Sequence, residues 1–217
     1  MSALLVSAAS WTMPFAAHHR RVRHRSSPVT CGAVATFCKH RFGISEDIAQ
    51  RTEAKLKHRA EYIDATMSAR ICDALQSRLG LSEAQLQKLV VKVPSVLSFS
   101  FESNIEPSLA KLQSRLGLSE AQLQKVVVAL PAVLSYSFES NIESKLDFLQ
   151  GELGLSLDAM RAKVLTCPAV LGYSLAQRYR PRLEVCSEVG ADPILVVNRV
   201  RMTDERFYAS IGWAGGL

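Results

Sequence analysis

Apolar residues along this chain recur with the period of an α-helix, in two stripes that repeat together along the sequence. The first stripe occupies positions i, i+3, i+4 and i+7 of one helix, at Leu86, Leu89, Val90 and Val93. The second has a similar spacing, at Ile105, Leu109, Leu112 and Leu116. Such spacing places each stripe on one helical face, and it predicts pairs of amphipathic helices with no β-strand.

Glycines and prolines divide this pattern into units. The glycines recur after 37 residues three times and then after 36, at Gly43, Gly80, Gly117, Gly154 and Gly190. The prolines also recur after 37 residues, at Pro94, Pro131 and Pro168. A single helix pair cannot bury its own stripe, so units of this length stack on one another. We expect units near residues 43–79, 80–116, 117–153 and 154–190, with a partial unit at 191–217.

Local signals mark the ends of both helices in a unit. Gly80 is expected in the left-handed conformation that closes a helix. Ser82 and Gln85 have the spacing of a capping box at the start of the next helix. Pro94 ends that helix, because it lacks an N–H group and disfavours helical geometry in the residue before it. Pro107 falls in the first turn of the second helix, where a missing N–H is harmless.

Two of the units are close copies of each other. Residues 76–106 and 113–143 are identical at 26 of 31 aligned positions. The identity indicates a duplication with limited divergence. Units that read different bases of a nucleic acid would be expected to differ more, so the copies favour contacts that discriminate little between sequences.

The net charge of +6 is confined to the start of the chain. Residues 1–45 contain six Lys and Arg residues and no acid, and the remaining residues balance to zero. The acid-free first 35 residues, rich in Ala, Ser, His and Arg, have the composition of an organelle transit peptide. We therefore expect residues 1–35 to be a targeting segment for a mitochondrion or a plastid and residues 36–217 to be the folded domain. The alternative is a basic tail that stays on the protein.

The chemistry of a catalytic site is missing from the repeats. No histidine follows His58, so the commonest general base is absent there. Cys72, Cys167 and Cys186 occupy positions where other units carry leucine, which indicates small core residues. The pair Cys38 and His40 lacks further partners for a metal site. We expect no enzyme activity, no cofactor and no metal.

The five cysteines are odd in number and lack a C-x-x-C spacing. They indicate a reducing compartment without a disulfide framework. The longest apolar run has 9 residues, at 126–134, whereas a membrane-spanning helix needs about 20. The sequence therefore predicts no membrane association.

The unit resembles that of the mitochondrial transcription termination factor (mTERF) family, over residues 43 to about 211. The resemblance lies in a helix ending in P-x-V-L-x-[FY]-S, followed by E-x-N-I-E-P-x-L-x-x-L and then L-G-L-S. The proline–leucine pairs that match are Pro94 with Leu97, Pro131 with Leu134, and Pro168 with Leu171. Residues 180–190 and 202–213 also resemble the late repeats of that family.

The resemblance implies a fold and a function. The fold is an all-α, right-handed superhelical solenoid whose units have two α-helices and a short third turn. The implied function is the regulation of organellar transcription or gene expression by binding double-stranded DNA or organellar RNA, without enzyme activity. A monomer is expected.

Basic residues outside the apolar stripes are the candidates for phosphate contacts, which need Lys or Arg on an accessible surface. Two pairs occupy equivalent positions of different units, namely Lys88 with Lys125 and Lys145 with Arg182. The others cluster near the C-terminal end, at Arg178, Arg180, Arg199 and Arg201. The near-neutral repeats also leave open a second hypothesis, a helical-repeat scaffold that binds proteins.

Overall fold

The computed structural model describes residues 32–213, and all regular secondary structure in that range is helical. Each of the four units begins with a glycine and contains two α-helices. The first helices of the units are α2 (Glu46–Ala54), α4 (Glu83–Lys92), α6 (Glu120–Ala129) and α8 (Leu157–Thr166). The second helices are α3 (Ala65–Leu79), α5 (Glu106–Leu116), α7 (Ser144–Gly151) and α9 (Arg180–Val189). Helix α1 (Ala33–Phe42) precedes the units, and α10 (Leu195–Asn198) and α11 (Asp204–Ser210) follow them.

The helices within a unit begin and end where the local signals in the sequence predict. Gly80 adopts a left-handed conformation, with φ of 62°, and closes α3. Ser82 and Gln85 form both hydrogen bonds of a capping box at the start of α4. Beyond α4, Pro94 begins a short 3-10 helix, Pro94–Ser98. These predictions are confirmed, and the same features recur 37 residues later in the copied unit.

A π-helical turn, which the sequence pattern did not predict, leads into three of the second helices. The turns are Phe101–Ile105, Phe138–Glu143 and Leu175–Tyr179. Each turn follows a serine whose Oγ accepts a backbone hydrogen bond, as Ser100 does from the N–H of Ser103 at 3.2 Å. The serine holds the start of the turn, and the wider π coil then brings Ile105 into the core.

The core is formed by stripes that meet between units. In α5, the apolar residues Leu109, Leu112 and Leu116 are almost completely buried. This helix contacts α6 of the next unit and α8 of the unit after that. The 3-10 helices add the leucines of the proline–leucine pairs, including Leu134. One continuous core therefore runs through successive units.

Side chains of the first helices also cover exposed carbonyl groups at the ends of α1, α3 and α5. Gln87 donates to the backbone oxygen of Phe42 at 3.5 Å, and Gln124 donates to that of Gly80 at 2.8 Å. The equivalent Arg161 donates to the backbone oxygen of Leu116 at 2.6 Å. The last carbonyls of a helix have no partner within it, so each of these side chains completes a helix that lies earlier in the chain.

Ion pairs join the end of one second helix to the start of the next. Arg78 Nε lies 2.9 Å from Glu106 Oε2, and Arg115 Nε lies 3.0 Å from Glu143 Oε1. At the following junction the signs are exchanged, because Glu152 accepts from Arg180 at 2.9 Å. All three pairs are separated by 28 residues in sequence. The ion pair therefore recurs at the same position in successive units, but at the third junction the acid and the base have exchanged places.

The boundary predicted at residue 35 falls inside α1. Val34 and Ala35 are buried in the core. Both oxygens of the Glu53 carboxylate accept backbone hydrogen bonds at 2.7 Å, one from Gly32 and one from Ala35. The start of α1 is thus held by the first unit. The rest of the predicted targeting segment, residues 1–31, lies outside the described residues.

No helix within residues 32–213 combines the length and the hydropathy that crossing a bilayer requires.

Replacing Leu134 by Ala tests whether the short 3-10 helix belongs to the core. The side chain is 5% exposed, so its truncation should lower the free energy of unfolding by about 2–5 kcal/mol. Val128→Ala is the matched surface control and should change it by less than about 0.5 kcal/mol. Urea denaturation measures both. A loss below about 1 kcal/mol at Leu134 would contradict the packing described here.

Candidate nucleic-acid interface

Lys88 and Lys125 lie where the repeat pattern predicts, on the exposed side of successive first helices. Lys88 is on α4 and Lys125 is at the equivalent position of α6. Neither ammonium group has a carboxylate within salt-bridge distance among residues 32–213. The two charges are therefore available to an anionic ligand.

Three more basic residues share this surface and were missed in the sequence analysis. They are Arg51, Lys55 and Lys92, all exposed. Arg51 precedes Lys88 by 37 residues and Lys55 precedes Lys92 by 37, so the repeat register could have identified them. We call Arg51, Lys55, Lys88, Lys92 and Lys125 the basic face.

The basic face crosses the boundaries between units. Lys55 Nζ donates to the backbone oxygen of Val91 at 2.8 Å, which ties the end of α2 to α4. Lys92 lies in the last turn of α4, where the helix dipole favours a positive charge. Arg51 is the member with a salt bridge, an exposed one to Asp47 at 3.0 Å on its own helix.

Two acids at the start of first helices, Glu83 and Glu120, are paired with bases outside the basic face. Arg41 Nε lies 2.8 Å from Glu83, and Arg78 lies 2.5 Å from Glu120. Hydrogen bonds from Gln113 and Arg78 lower the pKa of Glu120. Because these carboxylates are already satisfied by arginines at the junctions, they cancel little of the charge on the basic face.

Lys145 lies on the second helix as predicted, but the prediction of an accessible surface is wrong. Its side chain is buried, and burial lowers the pKa of its ammonium group. Nζ donates to Asn141 Oδ1 at 2.5 Å and to the backbone oxygen of Leu171 at 2.7 Å. It also lies 5.2 Å from the centre of the Tyr136 ring. Lys145 therefore joins its unit to the next and presents no charge to solvent.

Arg182, the equivalent of Lys145 in the next unit, is completely buried, so its predicted accessibility is also wrong. Its guanidinium donates to Asp204 Oδ1 at 2.7 and 2.9 Å and lies 4.5 Å from the centre of the Phe207 ring. It also donates to the backbone oxygens of Arg199 and Met202, at 3.0 and 2.6 Å. The side chain thus clamps the C-terminal helices against α9.

The other predicted arginines near the C-terminal end differ in exposure. Arg178 is partly buried against the Tyr173 ring and donates to the backbone oxygen of Met202 at 2.7 Å. Arg199 is half-buried and donates to the backbone oxygen of Ser210 at 3.1 Å.

Arg180 and Arg201 remain at the surface. Arg180 is exposed but forms the reversed ion pair with Glu152. Arg201 is exposed and has no hydrogen-bond or salt-bridge partner in the described part of the chain. The predicted set therefore divides, with Lys88, Lys125 and Arg201 free at the surface and the other five used in packing or pairing.

The buried thiols are poor nucleophiles. Burial raises the pKa of Cys72 to about 12 and that of Cys38 to about 11. Burial also raises the pKa of Cys186, which packs in the core near the C-terminal helices. The thiolate is the reactive form, so these cysteines behave as small core residues.

The family model described as mTERF matches residues 41–208, which is most of the 217-residue chain. No curated protein matches the sequence.

Replacing Arg182 by Ala separates its packing role from a role in phosphate contact. The change removes four hydrogen bonds donated by a completely buried guanidinium, two of them to the partly exposed Asp204, so the free energy of unfolding should fall by about 3 kcal/mol. Arg201→Ala is the control and should shift it by less than about 0.5 kcal/mol. Urea denaturation followed by circular dichroism measures both. Unchanged stability in Arg182→Ala would contradict the clamp.

Proposed function

The chain belongs to the mTERF family, and we propose that it is a nucleic-acid-binding regulator of organellar gene expression. This family is one of organellar nucleic-acid-binding proteins, which supports the general class. The finer proposal is that the chain binds double-stranded DNA or organellar RNA and acts on transcription. It does so as a monomer and without catalysis, and its units stack into a right-handed superhelix.

The observation that carries this proposal is the basic face. Its five Lys and Arg residues lie on three successive first helices. A nucleic acid presents phosphates at regular intervals, and Lys and Arg bind them without reading sequence. Equivalent positions in stacked units repeat in space, so Arg51, Lys88 and Lys125 can follow one phosphate strand.

The character of the binding follows from the number of available charges. Each phosphate neutralised on B-DNA contributes about −0.9 to the slope of log K against log salt concentration. With roughly three to five contacts, the slope is about −2.7 to −4.5 and the affinity is modest. The near-identity of residues 76–106 and 113–143 supports weak discrimination between sequences.

Location in a mitochondrion or a plastid is part of the same proposal. It is supported by the family and by the acid-free composition of residues 1–35. We expect a fusion of residues 1–40 to a fluorescent protein to enter one of these organelles, as seen by microscopy with organelle dyes. The matched control replaces Arg20, Arg21, Arg23 and Arg25 by Glu and should remain in the cytosol. Cytosolic fluorescence of the first fusion would contradict targeting by this segment.

Reversing two charges of the basic face tests the binding surface. Lys88→Glu with Lys125→Glu should weaken binding of all duplex sequences together and make the salt slope shallower by about 2, since two phosphate contacts are lost. The measurement is fluorescence anisotropy of labelled duplex DNA and RNA with the full chain. Residues 1–31 are common to every variant, so their contribution to binding is shared.

The control for that experiment changes the net charge equally. Arg70 and Arg206 are exposed and have no salt bridge within residues 32–213, and neither belongs to the basic face. Arg70→Glu with Arg206→Glu should retain most of the affinity. If both double variants lose binding equally, only the total charge matters and the proposed surface is wrong. If the unaltered chain binds no nucleic acid, the proposed function itself fails.

A further inference from the structure

A shallow groove of about 600 Å³ runs across α2, α4 and α6, beside the basic face. Its apolar lining includes Ile44, Ile48, Val91, Val128 and Pro131. The charged residues in the lining are Lys55, Lys88 and Lys92. The groove therefore combines an apolar floor with a positively charged rim.

Apolar side chains on the floor of the groove are more exposed to solvent than the packing of a surface helix requires. Ile48 is 41% exposed and Val128 is 37% exposed, and both are among the six large hydrophobic residues exposed within residues 32–213. Both line the same groove, as does Val91, which is equivalent to Val128 in the preceding unit. Clustered exposed apolar side chains bordered by polar residues are typical of interaction sites.

The residues that line the groove indicate which kind of ligand it fits. A nucleic-acid backbone would use the lysines but would leave the apolar floor uncovered. An amphipathic helix that lays its apolar face into a groove covers such a floor, and carboxylates along its edges would meet the three lysines. The chain's own residues 1–31 are a poor occupant, because they contain four arginines and no acid.

We propose that the groove binds an acidic amphipathic helix of a partner protein, which competes with nucleic acid for Lys88. The apolar stripe of that helix packs on Ile48, Val91 and Val128, and its glutamates or aspartates pair with Lys55, Lys88 and Lys92. The competition rests on the proposed function, since it assumes that Lys88 contacts phosphate. The docking itself depends only on the groove.

The probe is a synthetic 18-residue peptide of Leu and Glu, with Leu at i, i+3, i+4 and i+7, and a scrambled peptide of the same composition. Binding of the labelled peptide to the full chain is followed by fluorescence anisotropy, and its displacement of a labelled duplex is measured separately. The test variant is Ile48→Ser with Val128→Ser. Loss of these contacts should weaken peptide binding about tenfold or more and leave duplex binding unchanged.

The matched control is Leu157→Ser with Val189→Ser, because these residues are 41% and 39% exposed and lie outside the groove. It should bind the peptide as the unaltered chain does. Circular dichroism checks that both double variants remain folded. Lys55→Glu with Lys92→Glu is a second test variant and should also weaken binding of the amphipathic peptide. Its effect on binding of the scrambled peptide should be no larger than its effect on binding of the amphipathic peptide.

Several outcomes would overturn the proposal. These are equal binding of the peptide by the test variant, equal binding of the scrambled peptide by the unaltered chain, or no peptide binding at all. If the test variant loses duplex binding instead, the apolar floor belongs to the nucleic-acid interface. Failure of the unaltered chain to bind a duplex would remove the proposed function but leave the peptide result standing.

Discussion

The structure depends on one constraint, that the apolar stripe of a second helix is covered largely by parts of the chain outside its own unit. Leu109, Leu112 and Leu116 of α5 have almost no exposed surface, and their cover comes from the two units that follow. Helix ends, turns and ion pairs serve this burial by fixing where each unit begins. The cross-unit hydrogen bonds of Gln124 and Arg161 show the same dependence, since a helix end is completed by a side chain from another unit. No unit is a complete structure by itself.

The sequence predicts those parts of the fold that are decided locally. A left-handed glycine, a capping box and a helix-ending proline each act within a few residues, and Gly80, Ser82 and Pro94 behave as expected. The surface of the second helices could not be predicted in this way. Lys145 and Arg182 are buried by carbonyl groups and side chains 17 to 26 residues further along the chain. Only the packing of the next unit decides that these charges face inward.

Arginine and lysine have separate places in this molecule. The arginines Arg41, Arg78 and Arg115 lie at the junctions, where each contacts more than one acid or amide. A planar guanidinium with several fixed donors suits such shared contacts, whereas the lysine ammonium is a compact, hydrated charge. Lysines provide four of the five residues of the basic face. The near-neutral repeats can therefore present one positive surface, because Glu83 and Glu120 are paired with arginines at the junctions.

The exchanged ion pair between Glu152 and Arg180 has a consequence for assembly order. Two near-identical units could in principle trade places or pair with the wrong neighbour, either within a chain or between two chains during folding. Between two chains, a one-unit slip at the last junction would bring Arg115 of one chain against Arg180 of the other, and Glu152 of one chain would meet Glu143 of the other. Both mismatches place like charges together, at a position where the correct pairs are about 3 Å apart. Because the pair is exposed, the reversed polarity adds only a small electrostatic preference for placing the fourth unit after the third.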